Sequence, residues 1–565
     1  MTYRDETIQG RLRNRLQTQP DGKTIKFSGD RSGDHWRSFA DFYGAAGGTA
    51  ARLLELGVQR GEVVVIVLPS GEPAARLVLA TLIAGGRPLL VAPPGLLGPS
   101  SDLPMILGSS IRKTGARVVV LPEAVDADSI VVGRRTRVVS DDAGLVAAHQ
   151  VEGLPSFAVF PDDPAALQLT SGTTGLPRIC SWRQSAIIAA VDGMTAAMEV
   201  NDQDVFLNWT PLYHDMGLVN NFLTCLLSDI PLVMMSPHKF VKSPASWLRA
   251  LSETGATTTW SPNFGFALAA QRIKEAELVG VELSHVRGFW NAAERIHLDT
   301  MERFYERFAP FGVRRSSLKT NFGCAENIGG ATFTEPGEPF RYEHVDPHQL
   351  QDRRLAKVVS PDSPGALAVV GAGKPHPGIK ISILDRNGQP LPDGAVGQIA
   401  LDTASQMDGY LKDAEATARA LKDGLLRTGD LGYQRSGELF WVGRVKERIT
   451  VRGRKFDPSD FEHLLFPIDG LRPGCFAAFG IDDPATGTQK VVVVSEVVTG
   501  LVRAPDEIVN EMRLATMESL GLTVDALLVP TGTLTKTSSG KRRHRHFKRL
   551  YERGELPTLG GGVIR

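Results

Sequence analysis

The sequence predicts an α/β protein: a large N-terminal domain of helix-covered sheets with a β-rich subdomain, then a small, mobile α+β C-terminal domain. Three observations lead there. A chain of 565 residues is too long for one hydrophobic core. In its first half, short β-branched runs alternate with helical patterns, as βα units with mostly parallel strands require. Past Arg444 the pattern changes to longer strands and one amphipathic helix.

Taken in order, "EVVVIVLPS" reads as a strand, "EPAARLVLATLIAGG" as a helix and "RPLLVAPP" as the next strand. "RVVVLPEA" and "TTTWSPN" are further strands, with "SPASWLRALSETG" a helix between them. Residues 332–372 are polar and rich in proline and charge, which predicts an insertion on the surface of the larger domain. "IKISILD", "VGQIAL" and "GELFWVGR" then read as strands separated by Gly and Asp turns. "FAAFGIDD" and "KVVVVSEVV" are strands, and "PDEIVNEMRLATMESLG" is the amphipathic helix. A domain boundary is expected at "GRVKERITVRG", giving units 1–444 and 445–565.

Composition narrows the partners. Lys+Arg and Asp+Glu balance at 63 each, so no global field favours nucleic acid or anionic lipid. Four cysteines stand far apart with no CxxC pair, which argues against a disulfide framework or a zinc site and fits a reducing, cytoplasmic setting. The N-terminal stretch has no apolar core and does not read as a secretory signal. The most apolar run, residues 74–95, is interrupted by Arg76, Arg87 and prolines; it predicts a buried helix and strand, not a membrane span.

"LQLTSGTTGLPR" follows an apolar strand with Thr170, Ser171, Gly172, Thr173, Thr174 and Gly175. Glycines let successive backbone N–H groups converge on an anion, and hydroxyls add donors. Alone, this is as readily a Ser/Thr-rich turn, and GxxxxGK[ST] is absent. It does not stand alone. "WTPLYHDMG", "NFGCAEN", "RTGDLGY", "WVGRVKERITVRGRKFDPSDFE" and "TKTSSGK" follow in order.

This set resembles the adenylate-forming superfamily of acyl-CoA synthetases, peptide-synthetase adenylation domains and luciferases, over about Asp41 to Lys548. "PLYHDMGL", "SPNFGFALAAQRI" and the long segment after Glu326 are most similar to the fatty acyl-AMP ligases. In that branch an insertion is associated with handing the acyl group to an acyl carrier protein instead of coenzyme A. The resemblance implies ATP-dependent activation of a carboxylic acid to an acyl-adenylate with release of pyrophosphate. Two anions must then approach each other, so catalysis is chiefly positioning and charge neutralisation.

The resemblance also implies roles. The 170–175 loop holds the β- and γ-phosphates, and Glu326 ligates Mg²⁺, a hard cation suited to oxygen donors. Phe322 stacks on adenine, with Asn321, Gly323 and Ala293 around the ring, and Asp430 takes the ribose hydroxyls with support from Arg444. Lys541 swings in to bridge the carboxylate and the α-phosphate, as a cationic point donor on a long stem can. Lys446 is the hinge about which the small domain turns, and Gly453 then lies by the phosphopantetheine arm. His214 is grouped with Lys541 at the reacting centre, as a gate bordering the acyl pocket. It is not expected to act as a base, because a carboxylate is already ionised at neutral pH.

Three features depart from the family pattern. The phosphate loop ends "GLPRIC" where Pro-Lys-Gly is usual, and Thr535 replaces a proline in the last motif. Asn220 and Asn221 stand where fatty acyl-AMP ligases tend to have small residues, and Asn263 and Trp290 are placed at the same acyl pocket. Buried amides need hydrogen-bond partners, so a pocket shorter and more polar than a long-chain tunnel is expected. The basic run "KRRHRHFKR" reads as a solvated helix face, with steering of an acidic carrier protein as the alternative. Competing readings are an acyl-CoA ligase of the same fold, an idle binding protein and, more remotely, a luciferase-like oxidase.

Overall fold

The computed structural model describes residues 6–29, 34–94, 103–125, 130, 133, 135–140, 145, 158–170, 177–444, 448–451, 454–483, 488–536 and 542–559. Over these residues two large sheets carry the N-terminal part. One has seven strands in the order Gly409–Tyr410, Ile179–Arg183, Pro164–Leu169, Arg87–Leu90, Val63–Ile66, Val118–Leu121 and Arg137–Ser140. Its strands from Pro164–Leu169 to Arg137–Ser140 run parallel. Val63–Ile66 is buried along its whole length, as a strand covered on both faces must be. The helix Glu72–Ile83 starts with proline near its N-terminus and forms the crossover between two parallel neighbours.

The second sheet has nine strands. Its middle runs Leu318–Cys324, Gly288–Asn291, Thr258–Ser261, Phe206–Asn208, Leu232–Met235. These are parallel, and the strand Gly329–Phe333 returns antiparallel against Leu318–Cys324. Behind this sheet Trp247 makes ring contacts with Trp209, Phe240, Phe266, Phe289 and Phe304. Such interlocked aromatics bury large areas and hold their geometry. A third, antiparallel sheet joins Ile379–Leu384, Gly397–Thr403, Leu425–Arg435 and Glu438–Arg444.

Residues from Ile449 on build two apolar clusters without help from the preceding chain. One packs the helices Pro458–Leu465 and Pro505–Leu520 on the sheet of Leu471–Asp483, Thr488–Val497 and Val524–Val529. The strands and helices expected from the sequence in both halves are present at these positions.

The segment 332–372 differs from the loose surface insertion that its composition suggests. Tyr342–Val345 pairs with Leu367–Val370, and Val345, Leu350, Ala356 and Val369 share a small core with Leu431, Tyr433 and Phe440. Those apolar residues are spread thinly among prolines and charges, with no helical or strand period to reveal them. The helix Pro347–Asp352 of this segment packs against the strand Arg454–Phe456. Cys180, Cys225, Cys324 and Cys475 are all free thiols. Among the described residues no helix is long and apolar enough to cross a membrane.

Candidate active site

The strand Pro164–Leu169 delivers the chain to Thr170, and the strand Ile179–Arg183 carries it away. Thr170 N donates to the Arg178 carbonyl at 2.9 Å, and Arg178 N donates to Thr170 Oγ1 at 3.2 Å, so the base of the loop is closed. Ser171, Gly172, Thr173, Thr174 and Gly175 lie outside the described residues. Arg178 pairs with Asp413 at 3.3 Å and covers the Tyr410 ring.

Tyr410 in turn donates its hydroxyl to Glu326 Oε1 at 2.6 Å. Burial, followed by the Glu326 charge, holds that phenol far above its ordinary range, so it remains a donor. Glu326 sits on a short helical turn whose backbone is tied on both sides. Trp182 Nε1 donates to the Ala325 carbonyl at 2.9 Å, and Met407 N donates to the Glu326 carbonyl at 2.8 Å. Burial, with Glu326 adding to it, also pushes the Cys180 and Cys324 thiols well up, which keeps them neutral. The donor set fits Mg²⁺ as a nucleotide-bound ion: one hard carboxylate, with the remaining ligands left to phosphate and water. Among the described residues no three His, Cys, Asp or Glu side chains gather into a self-sufficient metal site.

Asn321, Phe322 and Gly323 leave the end of a central parallel strand, where open α/β sheets bind ligands. Asn321 Nδ2 donates to the Thr332 carbonyl at 2.5 Å, and Phe322 N donates to Thr332 Oγ1 at 3.2 Å. Gly323 is dictated by its neighbour, because a Cβ there would overlap the Gly329 carbonyl. Ala293 follows the adjacent strand with φ +74°, a left-handed conformation that an alanine rarely adopts.

The β-hairpin of Leu425–Arg435 and Glu438–Arg444 sets Asp430 opposite Arg444. Asp430 is buried, and its Oδ1 accepts from Arg444 Nε at 3.1 Å and from Trp441 Nε1 at 3.2 Å. The pairing holds a carboxylate at the mouth of a cleft of about 1350 Å³. Phe264, Ala293, Glu294, Asn321, Phe322 and Gly323 line the same cleft, as do Asp430, Arg444, Asn263 and Arg542.

A second, much smaller hollow of about 60 Å³ opens beside it and shares Ala293, Asn321, Gly323 and Arg444. It is bounded by Tyr213, His214, Asn220, Glu326 and Gly329. His214 Nδ1 lies 2.7 Å from Asp215 Oδ1, which steadies the ring. The stretch Met216–Leu223 after it is a π-helix, a form common at functional sites. Asn221 Nδ2 and Thr224 Oγ1 each donate to the carbonyl five residues earlier, at 2.8 and 2.7 Å, and so brace it.

Several expected residues line one or both of these cavities, namely His214, Asn220, Ala293, Asn321, Phe322, Gly323, Glu326, Asp430 and Arg444, whereas Thr170 lines neither. Asn263 lines the larger cleft, with Oδ1 accepting from Asn291 Nδ2 at 3.1 Å. Asn221 and Trp290, expected at the acyl pocket, line neither cavity. Asn221 is used inside the π-helix, and Trp290 is stacked on Trp260 and edge-on to Phe333. Their polarity and size serve packing, which no sequence spacing distinguishes from pocket lining.

Lys446, Gly453 and Lys541 lie outside the described residues. Beyond Lys541, Arg542 and His544 line the cleft. Lys536 Nζ lies 5.2 Å from the Phe264 ring centroid, and burial lowers the pKa of its ammonium. Arg542 reaches Glu294 at 3.9 Å and the buried Glu462 at 2.9 Å, and His544 reaches Glu462 at 3.3 Å. The inner end of the basic run is thus turned inward, unlike the solvated face expected of it. Glu294 Oε1 also accepts from Phe264 N at 2.7 Å. Arg295, Ser459 and Asp460 add a second tie, with Arg295 Nη1 bonded to Ser459 Oγ at 3.2 Å and paired with Asp460. Sequence reading missed Arg295, Tyr410 and Glu462; their partners lie 80 or more residues away.

Residues 12–411 match the family described as AMP-binding enzyme. A putative acyl-CoA synthetase of Caulobacter vibrioides is 30% identical over 89% of this chain and 88% of that protein. The long-chain-fatty-acid–AMP ligase FadD32 of Mycobacterium marinum is 32% identical over 69% of each chain. The medium-chain-fatty-acid–[acyl-carrier-protein] ligase TtuA of Teredinibacter turnerae is 30% identical over 73% of this chain and 67% of its own. A solved structure from work on fatty acyl-adenylate ligases of E. coli and L. pneumophila has the same fold, with TM-score 0.89, 24% identity and coverage of 98% and 99%. The chain belongs to the AMP-binding enzyme family and is an adenylate-forming ligase.

Proposed function

We propose that this ligase joins a carboxylic acid to AMP and then delivers the acyl group to the phosphopantetheine thiol of an acyl carrier protein. The observation that carries the reading is the convergence, at the cleft and the hollow beside it, of the Asp430–Arg444 pair, the Asn321–Gly323 strand end, Glu326 and Arg542 next to Lys541. Asp430 accepts bonds from the ribose hydroxyls, and Phe322 offers its ring to adenine. Thr170 to Gly175 would hold the β- and γ-phosphates, and Glu326, positioned by Tyr410, would hold Mg²⁺, which when bound would supply charge to offset that of the phosphates.

The acid's carboxylate oxygen attacks the α-phosphorus. A new C–O–P bond forms, the bond to the β-phosphate oxygen breaks, and pyrophosphate leaves with the electron pair. Lys541 is the group that stabilises the charge shared between the two anions. The unit after Lys446 then turns, bringing Gly453 to the pantetheine arm. The thiol attacks the acyl carbon, and AMP leaves. The carrier as acceptor is supported by the similarity to TtuA. The similarity to the Caulobacter synthetase favours coenzyme A as the second reading.

ATP–pyrophosphate exchange with a panel of acids tests adenylation. Lys541→Ala should reduce exchange by roughly 10²–10³-fold, the effect of removing one preorganised donor. Full activity in that variant would remove Lys541 from the mechanism. Offering coenzyme A and a holo carrier protein to the adenylate then separates the acceptors.

A further inference from the structure

Asn220 is 3% exposed, and its two polar atoms face different ways. Its Oδ1 accepts a hydrogen bond from the Gly330 backbone N–H at 3.2 Å. A backbone N–H can only donate, so this contact sets the orientation of the amide and turns Nδ2 away from Gly330. Nδ2 makes no hydrogen bond within the described residues, and Asn220 lines the small hollow beside His214 and Glu326. A donor that opens on a hollow and has no protein acceptor there among the described residues is free to bond a ligand oxygen.

Asn220 also limits the space. The hollow is about 60 Å³, against roughly 30 Å³ per water molecule in the liquid. A Cβ built on Gly329, in the facing wall, would overlap Asn220 Oδ1 and lie 3.4 Å from Val219 Cγ1 and 3.5 Å from Met194 Sδ. The amide is therefore packed against bare backbone, with no lateral room for a methyl group. Phe322 and Asp430 line the larger cleft and not this hollow.

We propose that Asn220 determines substrate choice: Nδ2 donates to a hydroxyl or keto oxygen on a short carboxylic acid, and the amide closes the pocket to long alkyl chains. This rests on the adenylating reading above. An ammonium group on the acid would set donor against donor, so amino acids are disfavoured.

The test uses the full chain and sulfamoyl adenosines acylated with 2-oxobutanoyl, 2-hydroxybutanoyl, 3-hydroxybutanoyl, butanoyl or dodecanoyl groups, with binding followed by calorimetry. At least one oxygen-bearing analogue should bind at least ~tenfold tighter than butanoyl, because a site built to hydrogen-bond an oxygen rejects the analogue lacking it. The dodecanoyl analogue should bind more weakly than either. In Asn220→Ala the oxygen preference should collapse and the dodecanoyl analogue should gain. Asn220→Asp keeps both the size and the acceptor for Gly330 but presents an oxygen in place of Nδ2; it should lose the 2-oxo analogue. The proposal is overturned, with adenylation intact, if dodecanoyl binds the wild type as tightly as the short analogues, or if no oxygen-bearing analogue exceeds butanoyl. An oxygen preference that survives in both variants overturns it too. Failure of all five analogues to bind rejects the adenylating reading itself.

Discussion

His376 shows how a single buried group ties stability to pH. It is 3% exposed, and its Nδ1 lies 2.7 Å from the Pro377 carbonyl, so Nδ1 carries the proton of the neutral ring. Nε2 is buried and has no partner among the described residues, and burial lowers the pKa of the ring below its ordinary value. The folded state therefore resists a proton that the unfolded chain accepts at about pH 6.5. Stability is fully present above that pH and falls as pH drops below it. Thermal unfolding midpoints between about pH 7.5 and 5.5 should fall more steeply for wild type than for His376→Gln. Equal slopes would remove His376 from the acid sensitivity. At this same scale Asp430, Glu326 and Asn321 are legible as a motif, because each lies in a short run of ordered residue types. Their supports, Tyr410 and Thr332, are not, since a tyrosine hydroxyl or a threonine carbonyl carries no mark of its partner.

The strand Glu438–Arg444 illustrates the element scale. Gly443 has φ +141°, and a Cβ built on it would lie 2.6 Å from Asp457 Oδ2. The strand thus carries Arg444 to Asp430 only because its neighbour lacks a side chain. Gly443→Ala should cost roughly 1–3 kcal/mol through backbone strain and displacement of Asp457. Denaturant midpoints measure that, and an unchanged midpoint would show that the strand relaxes without penalty. The strands and helices were readable because their apolar residues recur with period 2 or near 3.6. The π-helix Met216–Leu223 was not. "MGLVNNFL" has an ordinary helical composition, and the i→i+5 backbone bonds that define the form leave no mark in it.

Across the whole molecule, the elements after Ile449 meet the rest at several places: the Pro347–Asp352 helix on Arg454–Phe456, Lys536 at the Phe264 ring, and the ion pairs of Arg295 with Asp460 and of Arg542 with Glu294. The Arg295 and Asp460 side chains are only 12% and 10% exposed, so solvent screens them little. Removing one partner strands the other charge. A double-mutant cycle of Arg295→Ala and Asp460→Ala should give a coupling energy of roughly 1–3 kcal/mol. Amide exchange in the helix Pro458–Leu465 should also quicken in either single variant. Additive effects would show that the pair does not hold the two parts together.

Residue order alone settled the class of fold, the succession of strands and helices, and a set of motifs whose chemistry belongs to an adenylating ligase. Those properties are local: periodicity, turn residues and short runs are written within a few positions of each other. Tertiary structure decided which of the polar residues near the acyl side face a cavity. Asn220 and Asn221 are adjacent and chemically identical, yet one lines the hollow and the other closes a helical turn, because successive side chains on a helix point in different directions. The small core under residues 345–369 and the Arg542–Glu462 contact depended likewise on chain segments far apart in sequence, whose meeting no local pattern encodes.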